Sequence, residues 1–82
     1  MNPNPQDYQS EIVIFFESGP ETFSEVYSVD AEDFKDELKE GDLVLSFRRL
    51  YLGAEQVVLI PRDQIKRAYV RDVNLILFAS TV

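Results

Sequence analysis

Val29-Asp30-Ala31-Glu32-Asp33-Phe34-Lys35-Asp36-Glu37-Leu38-Lys39-Glu40-Gly41 is the stretch in which the hydrophobic period of this chain changes. Asp30 is a good N-cap, because its carboxylate accepts from the orphan amides of a first turn. Asp33, three residues later, sits where the helix dipole favours an acid. Val29 and Phe34 take the two positions of a hydrophobic staple. Phe34 and Leu38 lie one turn apart and form an apolar stripe with Ala31 beside them. Lys39 falls in the last turn, and Gly41 follows as the terminator. The pattern predicts a helix at about 31–40. A helix of about ten residues is too short to stand alone, so it must dock on something.

On both sides of the helix the period is that of strands. Ile12-Val13-Ile14-Phe15-Phe16 is β-branched and aromatic and apolar on both faces, which marks a central strand or one covered from both sides. Ser18-Gly19-Pro20 punctuates a turn. Strict alternation from about Thr22 to Val29 then places Phe23, Tyr27 and Val29 on one face and Ser24, Val26 and Ser28 on the other, making a hairpin. Past Gly41, Asp42 to Leu50 reads as a strand with Leu43, Leu45 and Phe47 on one face. Gly53 marks a turn before Gln56 to Ile60, and Pro61, which lacks a ladder donor, ends that run. Pro61-Arg62-Asp63-Gln64 closes a single 3₁₀ turn. Ile65 to Arg71 alternates again, with Ile65, Arg67, Tyr69 and Arg71 on one face. A turn at Asp72-Val73-Asn74 then leads to a last strand, Leu75-Ile76-Leu77-Phe78. That strand either closes the sheet beside Ile12–Phe16 or pairs across a homodimer, since a bare apolar edge aggregates.

The fold class expected is α+β: a small antiparallel sheet or partly closed β-barrel, with roughly five or six short strands and one interposed helix. Residues 1–9, with Asn2-Pro3-Asn4-Pro5, read as a flexible tail, and residues 10–82 as one domain. The segment Val58-Leu59-Ile60-Pro61-Arg62-Asp63-Gln64-Ile65 resembles the strand, 3₁₀ turn, strand ending of Src-homology-3-like barrels. The resemblance spans a short part of the chain and implies shape only. The acidic, aromatic and tryptophan signatures of the peptide-binding members are absent, and the helix is out of place for them.

Composition bounds the chemistry. With 82 residues and 45% apolar content the chain is one small domain able to build a core. It has no Cys and no His, which removes disulfides, thiolate metal sites, cysteine nucleophiles and histidine-based triads. No apolar run approaches the ~20 residues that span a bilayer. Met1 to Ser10 lack the basic and apolar regions of a signal peptide. The expectation is a cytoplasmic protein. Catalysis would need paired carboxylates in a cleft or a desolvated Lys35, Lys39 or Lys66, and no spacing singles out a pair. A non-enzymatic protein without cofactors is therefore expected.

Charge divides the chain. The net charge of −7 splits into −9 over residues 1–41 and +2 over residues 42–82. Glu32, Asp36 and Glu40, at i, i+4 and i+8, put three carboxylates on one helical face, with Glu37 beside them. Carboxylate rows suit hard cations, but a rigid helix cannot wrap an ion that wants six to eight oxygens. The row reads as a solvated face or as a docking face for a basic protein, one version of which imitates the phosphate spacing of DNA. In the basic half, Arg48-Arg49 and the Arg67-Tyr69-Arg71 face interleave cations with aromatics, the pattern that grips single strands. The acidic total opposes that use. An intramolecular partner for the acidic helix accounts for these arginines more simply. The sequence therefore favours a small interaction module that offers Glu32, Asp36, Glu37 and Glu40 to a protein it regulates or inhibits. The alternative is a small β-barrel that binds nucleic acid through Arg48, Arg49, Arg67, Tyr69 and Arg71.

Overall fold

A computed structural model describes residues 4–41 and 43–72. The helix α1 spans Ala31–Glu40. The Asp30 carboxylate caps it, with Oδ1 accepting from the amides of Glu32 at 2.9 Å and Asp33 at 3.2 Å. Phe34 is buried, and Val29 and Leu38 pack against the same cluster, so the staple forms as its spacing predicts. Ala31, expected beside that stripe, is exposed. Gly41 ends the helix in an extended conformation (φ −75°, ψ −172°) instead of a left-handed one. Its small size serves a close approach: a Cβ there would collide with the Glu37 carbonyl oxygen and sit 2.6 Å from Arg62 Nη1.

Five antiparallel strands, β1 (Ser10–Phe16), β2 (Gly19–Val26), β3 (Val44–Tyr51), β4 (Ala54–Pro61) and β5 (Arg67–Asp72), form one sheet in the order β4-β3-β2-β1-β5. The sheet is open: its outer strands, β4 and β5, do not pair with each other. As its apolar run predicts, β1 is flanked on both sides and buried on both faces. Ile12 and Ile14 are fully buried toward the core and Val13 is 4% exposed on the other side.

Two corrections concern β2. It begins at Gly19, directly after the Glu17-Ser18 turn, and stops at Val26, so Tyr27 to Val29 are not strand. It also carries a bulge. Ile12 pairs with Phe23 but Ser10 pairs with Val26, and Glu25 adopts φ 55°. The extra residue turns Phe23 and Val26 to the same side, where strict alternation would separate them. Both reach the core, and the Phe23 ring meets Phe47 edge-on at 5.3 Å.

Between β2 and β3 the ladder has one register pair, Val26 with Arg49, extended by a bond from the Tyr27 amide to the Arg48 carbonyl at 2.8 Å. The sheet is thus two parts joined at a corner. The core of Ile12, Ile14, Val26, Phe34, Leu45, Phe47 and Ile60 draws on both parts and on α1. β3 and β4 turn through Leu52 (φ 54°) and Gly53 (φ 82°), the two positive values that a tight hairpin turn requires. After β4, Arg62–Gln64 close the expected 3₁₀ turn, and β5 returns antiparallel to β1. Within the stretch read as a tail, Pro5–Asp7 form another 3₁₀ turn and Tyr8 is buried. The strand and dimer contact expected at Leu75–Phe78, and the turn at residues 73–74, lie outside the described residues. No helix among the described residues is long and apolar enough to cross a membrane.

Candidate functional site

The acidic candidates stand together. Glu32, Asp36, Glu37 and Glu40 are all exposed on α1, held there because Phe34 and Leu38 fix which side of the helix faces the core. Asp33, Asp36, Glu37, Glu40 and Gly41 line a shallow concavity of about 370 Å³. Among the described residues, no lysine or arginine forms an ion pair with any of the helix carboxylates. The nearest cationic contact is to backbone: Arg62 Nη1 donates to the carbonyl of Glu37, which also accepts from the Gly41 amide.

The basic candidates do not stand together. Arg48 and Arg49 are on β3, whereas Arg67, Tyr69 and Arg71 are on β5, three strand spacings of ~4.8 Å away across the sheet. Arg48 and Arg49 also point to opposite faces, as neighbours in a strand must. Each arginine is occupied. Arg48 lies 4.1 Å over the Tyr27 ring and 3.9 Å from Glu55. Arg49 donates to the Ser24 carbonyl at 3.2 Å and lies 5.3 Å from the Tyr51 ring. Arg67 stacks 4.2 Å over Phe15, and Arg71 bonds Glu11 at 2.6 Å. These partners correct the expectation that the acidic helix answers the arginines. The answering acids are on the sheet, Glu11 of β1 for Arg71 and Glu55 of β4 for Arg48, and Lys66 likewise pairs with Glu17, in the β1–β2 turn, at 3.0 Å. The β1–β5 register brings Glu11 opposite Arg71, a pairing of positions sixty residues apart that no local spacing announces.

Two further groupings have no motif in the sequence. Tyr8 donates its hydroxyl to Glu55 Oε2 at 2.6 Å and meets Tyr27 edge-on at 5.3 Å, with Arg48 over the other ring. The hydrogen bond to Glu55, with burial of the ring adding to it, raises the Tyr8 phenol above its ordinary pKa. At the other end, Phe16, Glu17, Ser18, Glu21, Asp63, Gln64 and Lys66 line an open concavity of about 680 Å³. It forms where the β1–β2 turn meets the 3₁₀ turn, tied by the Lys66 amide to the Phe15 carbonyl at 2.8 Å. Among the described residues, no three acidic side chains are grouped closely enough to hold a metal ion. No family model, curated protein or solved structure matches the chain.

Proposed function

We propose that this chain is a small non-enzymatic interaction module of the cytoplasm that offers the carboxylate face of α1 to a basic surface on a protein partner, as a regulator or inhibitor. One observation carries the reading: the helix acids are exposed and have no cationic partner among the described residues, while the arginines of the sheet are taken up internally. An acidic surface of this kind steers encounter with a positive patch and sets specificity through charge. The stacked and ion-paired arginines weigh against the nucleic-acid alternative, because phosphate would have to displace those contacts.

The test is affinity capture from lysate, with and without nuclease, using the wild-type chain and the triple variant Glu32→Gln, Asp36→Gln and Glu40→Gln. Exposed ion pairs contribute about 0.2–1 kcal/mol each. Three of them lost together, about 0.6–3 kcal/mol, should weaken a stoichiometric partner by roughly three- to 150-fold, and added salt should weaken it too. Capture that the triple variant retains in full would overturn the reading. Captured material that disappears with nuclease would transfer the function to the arginine face.

A further inference from the structure

The two edges of the sheet are unlike. β5 is 6 residues long and carries Arg67 and Arg71, charges that an added strand would have to accommodate. β4 is 8 residues long, with Glu55 as its one ionisable residue and an unbroken register against β3. It therefore lacks the lysines and bulges that protect an edge, and its proline stands at the very end.

The direction of its backbone groups follows from the hairpin. The two-residue turn closes on Tyr51 and Ala54, and the Arg62 amide donates to the Leu43 carbonyl at 2.9 Å in the same register. Both contacts assign the N–H and C=O groups of Ala54, Gln56, Val58 and Ile60 to β3. Those of Glu55, Val57 and Leu59, and the carbonyl of Pro61, turn outward, where no strand among the described residues meets them. The side chains of the same residues project away from the core: Val57 is 58% exposed and Leu59 66%, with Val44 exposed across from Pro61.

We propose that β4 is a self-pairing edge, and that two copies of this chain associate by antiparallel addition of β4 to β4 about Val58. That register sets Val57 opposite Leu59 of the second copy, twice, so both outward pairs exchange N–H and C=O in full. Val57 and Leu59 from the two copies then make one apolar row. Charge agrees with the register. Glu55 falls against Pro61 of the second copy, beside its Arg62, and no like charges stand opposite each other. The eight-residue edge is only ~27 Å long at ~3.4 Å per residue. One strand edge falls short of the ~800 Å² per partner of a standard stable interface. The dimer is accordingly weak, and it forms at concentrations of about 10 μM to 1 mM.

Sedimentation and amide exchange of the full chain across that range test the idea. The mass should rise from 9.5 kDa toward twice that value, and the Val57 and Leu59 amides should gain protection as it does. Val57→Pro removes an outward amide without touching the β3 ladder, and Leu59→Lys sets a charge in the apolar row. Each should weaken association at least ten-fold while the amide spectrum of the monomer stays folded. Leu59 is exposed, so its variant remains informative if the proline is not tolerated. A chain still monomeric at about 1 mM, or a dimer indifferent to Leu59→Lys, would overturn the proposal. So would Val57 and Leu59 amides protected at every concentration, because one chain would then be covering its own edge.

Discussion

Tyr8 shows how much one side chain can carry in a domain this small. It lies in a polar, proline-punctuated stretch, yet it is buried, donates to Glu55 and stacks edge-on against Tyr27. Its phenol keeps its proton above the ordinary value of about 10, first because the proton is shared with Glu55 and then because the ring is desolvated. The sign of the linkage follows. Between the unfolded and folded values the unfolded tyrosine ionises while the folded one does not, so folding loses stability as pH rises through that window. Below about pH 9 the contribution is whole. Tyr8→Phe should therefore destabilise the chain at pH 7 by an amount that shrinks toward zero above pH 10. Urea melts of both proteins at pH 7, 9 and 11 read the difference, and a gap that stays constant across pH would refute the role of the proton. None of this was legible in the sequence, since a lone tyrosine beside prolines carries no periodic signal and its partner is forty-seven positions away.

At the scale of elements, legibility tracked how local the determinants are. The bounds of the helix and its buried Phe34 were readable because cap, staple and stripe all lie within thirteen consecutive positions, Val29 to Gly41. The faces of β1 were readable because every residue of its run is apolar. The face of Val26 was not, because a bulge resets the side-chain alternation and shows only in the register against β1. Glu25 holds φ 55° there, a region that costs an ordinary L-residue roughly 1 kcal/mol or more. Glu25→Gly should release that strain, less the entropy glycine adds to the unfolded chain, for a net stabilisation of roughly 0.5 kcal/mol. The same change at Thr22, inside the regular ladder, should destabilise by about 1 kcal/mol. Chemical denaturation of the pair gives the comparison, and equal destabilisation by both would mean that the bulge is not where the register places it. The arginines failed to read for the converse reason. Arg48-Arg49 and Arg67-Tyr69-Arg71 look alike in sequence, but strand order alone decides that two strands stand between them.

For the molecule as a whole, charge acts on stability and on the proposed function with opposite signs. The −7 total is concentrated in the first half of the chain, and the ion pairs of Glu11 with Arg71 and Glu17 with Lys66 neutralise acids of β1 and its turn. The helix acids are left to repel one another. Asp36 and Glu40 stand one turn apart, an arrangement that costs a few tenths of a kcal/mol. Glu40 also lies at the helix C-terminus, where the dipole disfavours a negative charge by about 0.3–1 kcal/mol. Glu32, in the first turn, is favourably placed by the same argument. If the face were only a solvated surface, no use would offset this repulsion. The double variant Asp36→Gln and Glu40→Gln should raise stability by roughly 0.5–1 kcal/mol, which in a domain of this size moves Tm by about 2–8 °C. Moderate salt should narrow the gap by screening the repulsion in the wild type. Thermal melts at low and moderate salt measure both effects. The same variant should lose partner capture. A protein that becomes more stable and less able to bind through the same two substitutions has a face kept for contact, whereas unchanged capture at higher stability would leave those carboxylates as mere solvated charge.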